Sequence, residues 1–274
     1  MGTFHTICNA LSILGKRFGD GGLKDILIES QLIAEGSVNG VIDGKHYNRA
    51  VRAHKCIYEA MMRLAWSEFI QWLENKDDKD EEEIASVKVF LERVKMMTND
   101  LCQHSFDSLL KSQSMVKVME IWGKFLNHLR YDNGDLSAFW MSYLDFMETI
   151  VLGLLRGTRE GNWYMHLHAI KSMIPWCFAY DKINYARYLT PYLAQMMSLD
   201  ENHPEVFEEF KSGGFSVQLS SINPFGRIPV DQTTETTVNK DTKTPGGTTG
   251  FSLKPSTLQR HYLTAEYRSA FLGH

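Results

Sequence analysis

Between residues 47 and 74 the apolar side chains come round every three or four positions. Val51, Tyr58, Met61, Met62, Ala65, Phe69, Trp72 and Leu73 fall, with His54, on one stripe of a helix. A stripe of that length has to be covered by other helices, because the same residues on a strand would point to both faces. The pattern returns over residues 4–18, 84–111, 115–131, 136–155, 163–180 and 184–199, with shorter helices at 23–33 and after Pro204. The chain is therefore expected to be mainly α, a multi-helix bundle. No internal period recurs, which disfavours a solenoid.

Breakers punctuate the helices. Gly19-Asp20-Gly21-Gly22 ends the first one, and Gly36, Gly40 and Gly44 predict a series of short turns. The charged run from Lys76 to Glu83 reads as a solvated loop whose acids lead into the next helix, where the helix dipole favours them. Asp132-Asn133-Gly134-Asp135 predicts a turn, and Pro175 and Pro191 predict a kink or restart in their helices. After Lys211 the period changes. Phe215, Val217 and Leu219 alternate with polar residues, Ser221-Ile222-Asn223-Pro224 suits a turn, and Arg227-Ile228-Pro229-Val230 suits a returning strand. A short C-terminal β-hairpin is expected there, then a polar Thr-rich segment, a Gly/Thr-rich stretch at 245–250 and a last helix at 254–271.

The 274 residues suffice for a sizeable core, and a formal charge of -4 supplies no global attraction to nucleic acid or to an anionic membrane. The four cysteines, at 8, 56, 102 and 177, form no CxxC pair and read as reduced thiols of an intracellular protein, nuclear or cytoplasmic. No apolar run approaches the roughly 20 residues of a spanning helix, so no membrane association is expected. Gly2 and Thr6 match a loose myristoylation pattern, but Thr3 as a helix cap explains the same residues more simply.

Several groupings of residues bear on chemistry. His5 with Cys8, Cys102 with His104 and His166 with His168 are isolated pairs, without the second pair of a closed zinc site. No glycine loop is followed by the lysine of a phosphate cradle, and no serine occupies a nucleophile elbow. The aromatic residues from Trp163 to Tyr192 read mainly as core, the alternative being a stacking platform for bases. Asp231, Glu235 and Asn239 stand four residues apart, so a helix would align their oxygen groups on one face, where carboxylates can hold a hard divalent cation. Thr233, Thr234, Thr236 and Thr237 instead favour an extended strand or polar linker.

The string Arg227-Ile228-Pro229-Val230-Asp231, followed by Glu235, Asn239 and Lys240, resembles a segment of an uncharacterised transposon-derived family of animals and fungi. In that family a short strand runs into a helix bearing Asp, Glu and Asn at four-residue steps. Phe4-His5-Thr6-Ile7 with Gly15-Lys16-Arg17-Phe18, and the stretch from Asn162-Trp163 to Tyr188, are similar to further parts of it. The resemblance implies an RNase H-like core of the DDE-transposase type, interrupted by a helical insertion. Residues 1–45 would be a core remnant, 46–212 the insertion, and 213–274 the return to the core. Glu235 and Asp231 would be catalytic and metal-binding, and Asn239, Lys240 and Lys243 would contact DNA. Mg²⁺ would bind only if upstream residues complete the site, because the family's early aspartates would lie before Phe4. The expected function is a transposase-derived fragment, catalytically incomplete by itself. The alternative is a non-catalytic helical protein-interaction or scaffold protein. Residues 211–274 carry seven Lys and Arg against four Asp and Glu, a modest lean toward nucleic acid.

Overall fold

The computed structural model describes residues 2–75, 81–97, 108–236 and 259. Among them are thirteen α-helices and one two-stranded sheet, a mainly α fold. The helices are α1 Thr3–Phe18, α2 Leu23–Glu29, α3 Glu35–Ile42, α4 Tyr47–Asn75, α5 Glu81–Met97, α6 Gln113–Tyr131 and α7 Asp135–Phe146. They continue with α8 Gly153–Glu160, α9 Trp163–Ala179, α10 Ile183–Met197, α11 Leu199–Asn202, α12 Pro204–Lys211 and α13 Val230–Thr236. The last-helix expectation at 254–271, Cys102 and His104 lie outside the described residues, apart from the helical Gln259.

The chain divides into two compact units. The first comprises Met1–Arg17, Gly40–Lys45 and Thr149–His274, so the helices of 149–212 cluster with α1. The second comprises Phe18–Asn39 and His46–Glu148.

In the second unit α6 packs between α5 and α7, and α4 lies against α6. Its core is aromatic. The fully buried Phe69 ring lies 5.2–5.4 Å from the rings of Trp66, Trp122 and Phe125 and stacks on Trp72 at 6.3 Å. A second cluster joins Phe18 to Phe139, Trp140 and Tyr143. The acids of the charged run behave as the sequence suggests: Glu81, Glu82 and Glu83 form the first turn of α5, where Glu82 and Glu83 pair with Lys117 and Lys124 of α6. Ser112 caps α6 through its hydroxyl, and Arg130 near its end forks onto both oxygens of Asp145, at 2.9 and 2.5 Å.

In the first unit α9 packs against α8 and α10, while the hairpin lies between α8 and α13. Strands β1 Ser216–Gln218 and β2 Arg227–Pro229 pair antiparallel, with Val217 opposite Ile228. Gly213 enters β1 at φ +98°, a conformation side-chain-bearing residues resist. The Arg227 guanidinium fills the space beside it, donating to Gly213 O at 2.7 Å and Ser216 O at 3.3 Å.

Several expectations need correction. Gly36 and Gly40 are not turns but lie inside α3. Val38, Val41 and Ile42 are buried there, which offsets the roughly 1 kcal/mol each helical glycine costs. The second helix stops at Glu29, since Gln31 adopts φ +58°. α9 and α10 run uninterrupted through Pro175 and Pro191, both exposed, so neither helix restarts at its proline. Asp135–Glu160 is continuous helix through a π-helical stretch, Met147–Leu152, and is long and apolar enough to cross a membrane by length and composition. Half of its apolar window is buried inside the protein.

Candidate functional site

The segment from Val230 to Thr236 is helical despite its threonines. Each of three hydroxyls folds back on the turn before it: Thr233 to Pro229 O at 3.4 Å, Thr234 to Val230 O at 3.3 Å and Thr236 to Gln232 O at 2.9 Å. Hydroxyl-to-carbonyl bonding of this kind lets β-branched residues sit in a helix. The four-residue step then aligns Asp231 and Glu235 on one face, as the spacing suggests.

Both acids meet the start of α1. Asp231 Oδ1 accepts the Phe4 amide at 3.0 Å, and its Oδ2 accepts the His5 amide at 3.1 Å and faces His5 Nδ1 at 2.9 Å. Glu235 Oε1 stands 3.6 Å from His5 Nε2. The two carboxylates are thus brought together with the imidazole between them. Amides at a helix start are electropositive and lack intrahelical acceptors, so an aspartate serves both needs. The cap is not Thr3, as the local sequence suggests, but a residue 227 positions away.

This arrangement does not fit a Mg²⁺ ion shared by Asp231 and Glu235. Both Asp231 oxygens already accept hydrogen bonds from α1 amides, and each carboxylate faces a different ring nitrogen of His5. Among the described residues no group of three or more His, Cys, Asp or Glu side chains is placed to hold a metal ion. Asn239, Lys240 and Lys243 lie outside the described residues. Nearby groups are poor nucleophiles: burial, reinforced by the Asp231 charge, pushes the Cys8 thiol up to about 11, and the same two causes push Tyr185 up to about 12.

Two further features escape the sequence reading. The first lies in the second unit, where α4 and the α6–α7 turn enclose an open groove of about 510 Å³. Ala65, Leu129, Met141 and Leu144 floor it, and Leu64 and Leu136 wall it while remaining 71% and 72% exposed. Apolar groups so placed are neither core nor ordinary scattered surface. The second lies in the first unit, at the turn from α9 to α10. Here Trp176 and Tyr180 stack at 6.0 Å, the Arg17 guanidinium lies 5.3 Å from the Trp176 ring, and Lys182 donates to Ser12 Oγ at 2.8 Å. Burial, then the neighbouring Lys16, lowers the Lys182 pKa. Trp163 is core as expected, but Tyr164, Phe178 and Tyr188 are exposed because they occupy the outward faces of α9 and α10.

The sequence model of a domain of unknown function, DUF8702, matches residues 1–273. No curated protein and no solved structure matches the chain.

Proposed function

We propose, for a chain that belongs to the DUF8702 family across residues 1–273, a non-catalytic role in which the helical second unit docks a partner protein. The observation that carries this reading is the groove bounded by Leu64 and Leu136. Its walls are parts of helices, its floor is apolar, and its rim is polar through Ser67, Glu68, Asn133 and Ser137. A groove of that make-up accepts the apolar face of an amphipathic helix. The unit around it carries 14 Lys and Arg against 21 Asp and Glu, so the favoured partner helix is basic on its solvent side.

The test titrates the full chain with a synthetic amphipathic helix bearing leucines at i, i+3, i+4 and i+7 and lysines elsewhere, read by calorimetry. Saturable binding is expected, with a tenfold or greater loss in Leu136→Glu. A version with glutamates in place of the lysines should bind more weakly. Equal binding by wild type and Leu136→Glu rejects the reading.

A second reading, a transposase-derived DNA-acting fragment, draws support from one observation: a short strand runs into a helix with Asp231 and Glu235 on one face. It expects Mg²⁺- or Mn²⁺-dependent cleavage or strand transfer on DNA once further metal-binding acids are supplied, abolished by Glu235→Gln. The occupied oxygens of Asp231 favour the first reading.

A further inference from the structure

We infer that a cleft in the second unit, between the start of α4 and the segment leading from α2 into α3, binds the phosphate monoester of a small organic molecule, with Arg49 and Arg52 holding the phosphate. The cleft shares no lining residue with the docking groove of the same unit, so either can fail alone.

The cleft holds about 510 Å³, within the roughly 300–1,000 Å³ of small-molecule sites. Arg49 and Arg52 line it together with Gln31, Leu32, Ile33 and Ser37, which lie around the start of α3. The two guanidiniums set this cleft apart. They stand three residues apart on α4, neighbours on one helix face, where like charges repel. Among the described residues neither makes a hydrogen bond or an ion pair. No acid is within reach along the helix either, since residues 46–58 carry Arg49, Arg52 and Lys55 and no Asp or Glu. Glu29 and Glu35, next in sequence to the opposite wall, pair with neither arginine. By contrast Arg63, further along α4, is tied to Glu59 at 2.7 Å.

Arg49 is also placed against the field of its own helix. It stands in the first turn of α4, which has no acid, and the free amides there repel a cation and attract an anion. Two cations kept adjacent and unpaired at the positive end of a helix lower stability until an anion joins them. The first turn of α3, which reaches the cleft at Ser37, adds to that field rather than creating it.

Charge and shape select the ligand. Two guanidinium forks offer two positive charges and paired N–H donors, which match a doubly charged phosphate monoester better than a single carboxylate. Ser37 adds a hydroxyl to the same wall. Leu32, 39% exposed, and Ile33 give an apolar surface for the organic group of the ester, which inorganic phosphate would leave uncovered.

The experiment titrates the full chain with phenyl phosphate, read by calorimetry, beside inorganic phosphate, benzoate and phosphatidylcholine vesicles carrying phosphatidic acid. Saturable binding of phenyl phosphate is expected, at least tenfold tighter than inorganic phosphate, which lacks the ring, or benzoate, which lacks the second charge. Arg49→Gln and Arg52→Gln should each weaken it about tenfold to a hundredfold, while Arg63→Gln, the same charge change on the same helix, leaves it unaltered. All three side chains are exposed, so an unchanged helical spectrum verifies folding. Because Arg49 opposes its helix, Arg49→Gln should leave the urea midpoint of the free chain level or raised, whereas loss of a structural arginine would lower it. Leu136→Glu should leave phosphate binding intact, which separates this cleft from the docking groove. No binding of phenyl phosphate at millimolar concentration, equal affinity for inorganic phosphate or benzoate, an equal loss in Arg63→Gln, or a lowered midpoint in Arg49→Gln would each overturn the proposal. Arg52-dependent binding to the vesicles without binding of phenyl phosphate would assign the cleft to a lipid headgroup and overturn it too.

Discussion

The two units are built by opposite means from similar helices. The second joins helices that are neighbours in sequence, centres on the rings around Phe69, and is acidic. The first assembles α1 with helices more than 130 positions later, uses Asp231 and Arg227 as polar ties, and carries 15 Lys and Arg against 12 Asp and Glu. The difference shows that local periodicity suffices to specify a unit whose packing is local. Where distant segments meet, single polar residues determine the join.

The largest expected effect tests the aromatic half of this contrast. Phe69→Ala removes a fully buried ring from between α4 and α6 and should cost about 3–5 kcal/mol, read as a lowered urea midpoint for the second unit. A loss under about 1 kcal/mol would show that the neighbouring tryptophans, not Phe69, hold the cluster.

Next comes acid sensitivity, where the units should behave alike. Burial lowers His54 of the second unit and His166 of the first to about 4, and His54 Nε2 and His166 Nδ1 have no hydrogen-bond partner among the described residues. Their folded pKa values lie below the unfolded 6.5, so between pH 6.5 and about 4 the unfolded chain binds more protons. Stability is full above pH 6.5 and declines as pH falls through that window, by on the order of 2–3 kcal/mol per histidine at pH 4. His54→Leu should flatten the decline of the second unit only, at the cost of the 2.9 Å bond between Nδ1 and Tyr143. An unaltered pH profile would mean that His54 charges without unfolding.

Asp231→Ala should cost the first unit about 1–2 kcal/mol, through two uncapped amides and the lost imidazole contact. Amide exchange at Phe4 and His5 should rise first, and no change there would refute the capping role. Smallest of all, Leu136→Glu should shift stability by under about 0.5 kcal/mol while weakening peptide binding in the groove at least tenfold. A large destabilisation would mark Leu136 as core rather than docking surface.

These contrasts also explain what could be read in advance. The 3.6-residue period locates α4, α6 and α9 nearly to the residue, because each buries one stripe, and alternation at Phe215–Leu219 locates the hairpin. α3 is hidden by its glycines, since their local preference is outweighed by burial of Val38, Val41 and Ile42. The spacing of Asp231 and Glu235 correctly suggests a shared helix face. It says nothing of His5, whose nearest suggestive neighbour in sequence is Cys8, because the join spans 226 positions. The bond from Lys182 to Ser12 is equally hidden in sequence, though the run Trp176-Cys177-Phe178-Ala179-Tyr180 could have signalled exposed rings, since Phe178 breaks the helical stripe.

Arg227 lies so close to Gly213 and Gly161 that a β-carbon on either would fall within 2.8 or 3.1 Å of its side chain. The three positions therefore form a single heritable lock. Across diverging relatives they should be kept or surrendered together, and a lone methyl at residue 213 would strain the φ +98° turn and push against the end of the Arg227 side chain, a change outside both strands that the hairpin would feel.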